Sequence, residues 1–250
     1  MVRRPSPLLA DGLVTHIERS DDVDAGLAHR QWQEYVSAME KRGWRVAEAP
    51  PADDCPDGAF IEDQVFVYGS LAVLCRAGAP ERRAEQQGLR GLLVAAGYRL
   101  VEITEPGTLE GGDILKHGPD VWVGVGGRTN EEGVRQLRAA LADFPVTVHA
   151  VPVTKVLHLK SAVTALPDGT VIGYEPLVDE PSAFDRFLPV PEEPGSHVVL
   201  LGGSSVLLSA AAPRTAALLR ARGLDVSVVD ISEFEKLEGC VTCLSVRLRA

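Results

Sequence analysis

Residues 66–74 read FVYGSLAVL, two runs of β-forming residues separated by Gly69-Ser70. Two such runs around a two-residue turn containing Gly form a β-hairpin, because tight hairpin turns need the positive φ that Gly adopts without strain. The pattern returns at residues 113–123 (DILKHGPDVWV, turning at Gly118-Pro119), 161–172 (SAVTALPDGTVI, turning at Pro167-Asp168-Gly169) and 197–208 (HVVLLGGSSVLL, turning at Gly202-Gly203). The turns recur after 49, 49 and 35 residues. Spacing on this scale predicts copies of one supersecondary unit.

A helical segment follows each hairpin. Residues 81–96 (ERRAEQQGLRGLLVAA) are amphipathic and stop at Gly97, and residues 130–141 open on an Asn cap with two Glu in the first turn. Residues 181–187 are short, and residues 213–222 run from a Pro start to Gly223. Strand patterns follow three of these at 99–103 (RLVEI), 146–151 (VTVHAV) and 225–229 (DVSVV). The unit is therefore β-turn-β-α-β, visible four times in an α/β chain. The Pro- and acid-rich tract 177–194 reads as a surface excursion. At the ends, a helix over 23–43, a strand at 44–49 (WRVAEA) and a strand at 243–249 (CLSVRLR) can combine into a fifth unit. Such an array closes on itself and removes open sheet edges. An open mixed sheet is the alternative that the pattern leaves standing.

The chain has 250 residues, 25 Lys+Arg and 35 Asp+Glu, for a net charge of −10. With 45% apolar and 24% charged residues it is globular, not disordered, and its length fits one domain spanning 1–250. The acidity argues against nucleic-acid binding, which needs a basic face, and permits a cationic ligand. The apolar stretch 198–213 is broken by Gly-Gly-Ser-Ser and is shorter than a membrane span. The N-terminus has no apolar run of signal-peptide length. Four cysteines (Cys55, Cys75, Cys240, Cys243) are too few for a disulfide scaffold, so a cytoplasmic, reduced protein is expected.

GxxxxGK[ST], GxSxG and HExxH are absent, and residues 124–127 (GVGG) lack the third Gly of a dinucleotide fingerprint. Cys240-Val-Thr-Cys243 has no second ligand pair for zinc. Cys243 stands where a loop enters a strand, as a packed thiol or a nucleophile; a nucleophile needs a base, usually histidine. His158 lies on a strand just before a hairpin. Acidic residues crowd two strand entries, Asp57 with Glu62-Asp63 and Glu110 with Asp113, where charge is costly unless exposed, paired or used. The Gly-Gly of LEGGD permits a tight turn or a close backbone approach.

FIED, RAGAPERRAE, LEGGD, VGVGGRTN, LHLKS and EGCVTCLS occur in this order. The series resembles the dimethylarginine dimethylaminohydrolases, guanidine-modifying hydrolases of the pentein superfamily, over about residues 12–248. The resemblance implies a five-bladed α/β propeller of ββαβ repeats with pseudo-five-fold symmetry, in one catalytic domain. It implies Cys243 as nucleophile, His158 as general acid/base and Glu110 as the histidine's partner. It implies Glu62 and Asp63 as guanidinium holders with Asp57 nearby, and Arg82 and Arg128 as clamps for a substrate carboxylate. Phe60 would line the pocket, Leu13 would sit in a lid loop, and Leu237 would offer its carbonyl to an α-amino group. The implied reaction converts a small-molecule methylated arginine to citrulline and an amine, without metal or organic cofactor, in a monomer or homodimer that binds neither nucleic acid nor membrane. Arginine or agmatine deiminases, amidinotransferases and non-catalytic binding proteins of the same fold are the competing readings. Cys240 departs from the pattern, leaving a disulfide with Cys243, or a soft-metal site with Cys243 and His158, as open consequences.

Overall fold

In the computed structural model, which describes residues 1–248, all four hairpins form, and each gains a third strand parallel to its second. The sheets are β1 (Val65–Tyr68), β2 (Leu71–Leu74) and β3 (Arg99–Glu102); β4 (Ile114–His117), β5 (Asp120–Val125) and β6 (Thr147–Pro152); β7 (Val163–Ala165), β8 (Val171–Gly173) and β9 (Phe187–Pro189); and β10 (Val199–Gly202), β11 (Ser205–Ser209) and β12 (Asp225–Val229). In the first hairpin Tyr68 pairs with Leu71 across Gly69-Ser70, and Gly69 takes φ +52°. A parallel third strand needs a crossover that returns the chain to the same end of the sheet. Helices α2 (Leu89–Ala95), α3 (Glu131–Ala140) and α5 (Pro213–Ala221) provide it in three units. The Asn130 side chain caps α3 by accepting from Gly133 N–H at 2.8 Å, as its sequence predicts.

Several sequence expectations are corrected. The helix expected over 81–96 is split: Pro80–Gln86 forms a 3₁₀ helix, and Gly88 at φ +80° separates it from α2. In the third unit the crossover is two 3₁₀ turns, Glu175–Leu177 and Pro181–Ala183. The tract 177–194 is not a mere surface excursion, because it contains β9 and buries Val178, Phe184 and Val190. Residues 44–49 and 243–248 do not form full strands. Val2 makes one parallel bridge to Glu48, and Met1 and Val246 exchange backbone hydrogen bonds of 2.8 and 2.9 Å. Arg249, the end of the last predicted strand, lies outside the described residues.

Apolar side chains fill the spaces between units. Phe66, Leu71 and Val73 pack with Ile114, Val121 and Val123, closed over by Val134 and Leu137 of α3. The long helix α1 (Ala25–Glu40) is capped by the Asp24 side chain and buries Ala28, Trp32, Tyr35 and Met39, which recur on one helical face. These residues pack in a cluster with Leu9, Phe60, Phe234, Leu237, Cys240 and Cys243. The Tyr35 hydroxyl donates to Val241 O at 2.9 Å, which pins the turn carrying Cys243.

A short helical turn leads into each hairpin: Ile61–Gln64, Gly111–Asp113, α4 (Leu159–Ala162) and Glu193–Ser196. A turn at 241–244 occupies the equivalent place before the terminal residues. These turns interlock. Glu62 N–H donates to Cys243 O at 3.1 Å, Gly112 N–H to Asp63 Oδ1 at 3.0 Å, and Leu159 N–H to Asp113 Oδ1 at 3.0 Å. Beyond them, towards the hairpin tips, lies a cavity of about 990 Å³ lined by Glu62, Lys160 and Arg247 among others. Among the described residues no helix is long and apolar enough to cross a membrane.

Candidate active site

The interlocked turns gather Glu62, Asp63, Glu110, His158 and Cys243 from segments far apart in sequence, and all five are buried. His158 is not on a strand: its extended backbone forms the residue before α4. Its Nε2 lies 2.6 Å from Glu110 Oε2, and its Nδ1 lies 3.8 Å from Asp63 Oδ1. Burial alone would lower the His158 pKa, but the carboxylates of Asp63, Asp113 and Glu110 outweigh it and push it up to about 9. Burial works against the Glu110 carboxylate too, and there the bond to His158 and the charges of His158, Arg82 and Arg128 prevail. They hold its pKa far below the usual carboxylate range. The pair is thus an ion pair at neutral pH.

The two arginines differ. Arg82 donates through Nη1 to Asp63 Oδ2 at 2.8 Å and through Nε and Nη2 to the Glu85 carboxylate at 2.8 and 2.9 Å. Arg128 Nη1 lies 3.5 Å from Glu110 Oε1 yet has no hydrogen-bond partner. Glu62 is equally lopsided. Its Oε1 is held by Lys160 Nζ at 2.6 Å and Arg247 Nη2 at 3.1 Å, while its buried Oε2 is unpartnered.

Cys243 and Cys240 are reduced, with sulfurs 3.2 Å apart. The hydrogen bond to Cys240 pushes Cys243 well above the usual thiol range, aided by burial and by the facing carboxylates of Asp63 and Glu62.

The remaining expected residues surround this group. Leu13 N–H donates to both Asp57 oxygens, at 3.3 and 3.1 Å, and burial raises the Asp57 pKa. Phe60 meets Phe234 edge-on at 6.2 Å and shares the apolar cluster of Leu237 and Cys243. Both glycines of LEGGD are required by close approach. A Cβ on Gly111 would stand 2.0 Å from Glu62 O, and one on Gly112 would stand 2.6 Å from Asp63 Oδ1 and 2.7 Å from His158 Nδ1.

Sequence reasoning missed Glu85 under Arg82, and Lys160 and Arg247 on Glu62, whereas Asp113, singled out as an acid at a strand entry, is paired under α4, where it accepts from Leu159 N–H. Glu85 and Lys160 stood inside quoted motifs, Glu85 three residues after Arg82 and Lys160 two after His158. Asp63, Glu110 and His158 stand close enough to hold a metal ion. The Arg82 guanidinium already occupies the space between the two carboxylates, 2.8 Å from Asp63 and 3.8 Å from Glu110, which disfavours a second cation there.

Repeated three-stranded sheets whose entry turns pool acidic, histidine and cysteine side chains define a chain of the pentein superfamily of guanidine-modifying proteins. The chain belongs to the arginine deiminase family, whose family model matches residues 51–201, and within it to the dimethylarginine dimethylaminohydrolases. It is 61% identical to the N(G),N(G)-dimethylarginine dimethylaminohydrolase of Streptomyces coelicolor, over 100% of this chain and 96% of that one. A histidine-to-glycine variant of dimethylarginine dimethylaminohydrolase, crystallised as an adduct with S-methyl-L-thiocitrulline, superposes with a TM-score of 0.91 at 29% identity, covering 99% of this chain and 98% of that one. A cysteine-to-serine variant of the Pseudomonas aeruginosa enzyme, complexed with citrulline, gives 0.89 at 29% identity, covering 99% and 97%.

Proposed function

We propose that this chain hydrolyses Nω-methylated L-arginines, asymmetric dimethylarginine and monomethylarginine, to L-citrulline and dimethylamine or methylamine. One observation carries the reading: the buried site holds an unpartnered acceptor, Glu62 Oε2, and an unpartnered donor, Arg128 Nη1. Leaving such groups unpaired costs about 1–3 kcal/mol each. A ligand with a guanidinium at one end and a carboxylate at the other satisfies both. Its planar N–H groups match Glu62 and Asp63, and its carboxylate takes Arg128, with Arg82 contributing charge. Phe60 would pack on the substrate, Asp57 and the Leu13 segment would close over it, and the Leu237 carbonyl would accept from its ammonium. The substrates carried in the names of the relatives above point the same way.

The guanidinium reverses the electrostatics around Cys243 and favours its thiolate. The thiolate attacks the guanidinium carbon, forming a C–S bond. His158, protonated at neutral pH, gives its proton to the departing amine as the C–N bond breaks, which leaves a thiouronium adduct. Neutral His158 then takes a proton from water as that water attacks the adduct. Collapse expels the thiolate, forms the carbonyl of citrulline and releases the surplus proton to the amine. No step needs a metal or organic cofactor.

The closed five-bladed propeller, acting as one catalytic domain over 1–250, belongs to the same reading. The paired hydrogen bonds between Val246 and Met1, with Val2 N–H donating to Ala47 O and Ala49 N–H donating to Val2 O, support a fifth blade built from both ends.

Citrulline formation from asymmetric dimethylarginine, monomethylarginine and arginine, with agmatine turnover assayed alongside, tests the assignment. The expected order puts the methylated substrates first. Faster turnover of arginine or agmatine would replace it with a deiminase.

A further inference from the structure

Glu238 is the one non-glycine residue at positive φ among the described residues, +62°. Its carboxylate is turned inward, with the side chain 4% exposed, onto three consecutive backbone amides of the N-terminal segment. Thr15 N–H donates to Oε2 at 2.9 Å, Ile17 N–H to Oε1 at 3.0 Å, and His16 N–H also to Oε1. The Thr15 hydroxyl adds a bond of 3.3 Å. The stretch before Glu238 grips the same strap further along. Lys236 Nζ holds Asp22 O at 3.0 Å, and Glu233 accepts from Asp24 N–H at 2.8 Å.

The strap's inner side faces the site. Leu13 N–H binds Asp57, and Val14 packs on the cluster containing Phe60, Leu237 and Cys243. Cys243 is 7% exposed and His158 2%, so a covering segment must move before a substrate reaches them, and the strap packs on the cluster that holds Cys243. A carboxylate inside a run of backbone N–H groups is a strong, charge-assisted contact. A Glu held in the left-handed region, where its Cβ is strained, is maintained by its surroundings.

We propose that Glu238 is the latch of this strap, a positioning residue that sets how often residues 12–24 lift off Cys243 and how firmly they close over a bound methylarginine. This rests on the function proposed above for what is bound; the latch itself concerns access to Cys243.

Glu238→Gly tests it, because Gly takes φ +62° without strain and keeps the backbone while deleting the carboxylate. Labelling of Cys243 by iodoacetamide, located by peptide mapping, should speed up by at least about tenfold, the worth of a hydrogen-bonded charge. KM for asymmetric dimethylarginine should rise by a similar factor, about tenfold, with kcat changed much less. Glu238→Gln, which retains one acceptor oxygen, should fall between. The thermal midpoint of Glu238→Gly should match or exceed that of the parent, separating an open strap from a damaged fold. Unchanged labelling in Glu238→Gly would overturn the latch. If the parent fails to turn over methylarginine, the functional reading falls while the labelling rate still decides the latch.

Discussion

His158 Nε2 and Glu110 Oε2 stand 2.6 Å apart, in side chains that are 3% and 0% exposed. A buried pair this close is favourable only while both charges are present, since either charge alone would be desolvated and uncompensated. Glu110→Gln keeps the shape and removes the negative charge. The His158 pKa should then fall from about 9. Less imidazolium would be available to protonate the amine, so kcat should drop by roughly 10²–10³, within the range of general acid catalysis. A pH–rate profile would check it, and an unshifted profile with full kcat would remove Glu110 from the mechanism.

The same pair gives stability a pH dependence of defined sign. The folded-state pKa of His158, about 9, is raised above its ordinary 6.5. Its contribution is fully present below about pH 6.5 and is lost as pH rises through 9, since the unfolded chain then binds fewer protons than the folded one. A shift of this size is worth on the order of 3 kcal/mol. Urea midpoints from pH 6 to 9.5 should fall more steeply for the parent than for His158→Gln. Parallel curves would contradict the assignment.

Arg82 and Arg128 should separate in kind. Arg82→Met strands Asp63 and Glu85 in a buried setting and should cost about 3–5 kcal/mol of stability. Arg128→Met removes a cation with a donor left free, so its main effect should fall on substrate binding. KM for asymmetric dimethylarginine should rise by about 10- to 100-fold, as for loss of a charge-assisted hydrogen bond, with little change in urea midpoint. Equal loss of stability in both variants would make them equivalent and refute the distinction.

The hairpins were legible because alternating β-formers around Gly69 and Gly118 are local signals, set within a dozen residues. Strand β9 was not, because Phe187-Leu188-Pro189 is three residues long, ends on Pro and follows no helix. The residues matched by resemblance fell together in one site, but their supports did not announce themselves. Glu85 pairs with Arg82 three residues away, once the segment winds into its 3₁₀ helix, whereas the pairings of Lys160 and Arg247 with Glu62, and the bond from Leu159 N–H to Asp113 across 46 residues, exist only once distant turns interlock. Glu238 was less visible still, since a left-handed φ on a glutamate leaves no mark in composition or spacing.

Cys240 gives the site a redox liability. A disulfide of about 2.05 Å requires the 3.2 Å pair to close by about an ångström, a small movement within one turn. Hydrogen peroxide, reduced to water as the two thiols are oxidised, should inactivate the protein, and dithiothreitol should restore it. Mass mapping should find residues 240 and 243 joined with the loss of two hydrogens. Cys240→Ser retains a hydrogen-bonding partner for Cys243 but cannot form the bridge, so its thiol should oxidise further and recover less with reductant. Equal recovery in both proteins would exclude the bridge.

Gly112 offers a test of how tightly the acid/base histidine is packed. Its N–H already holds Asp63 Oδ1 at 3.0 Å, and a Cβ there would stand 2.7 Å from His158 Nδ1 and 2.8 Å from its Cγ. Such contacts are far inside van der Waals range, and the ring cannot retreat while Glu110 grips its far side. Gly112 is not at positive φ, so the backbone would accept alanine and the whole effect would be steric. Gly112→Ala should therefore displace His158 from Glu110. Overpacking of this kind costs about 1–3 kcal/mol of stability. Activity should fall much further, by about 10²-fold or more, because a shift of an ångström is enough to spoil proton transfer. Comparing kcat with the urea midpoint checks both halves. Full activity in Gly112→Ala would mean that the ring position is not what the reaction depends on.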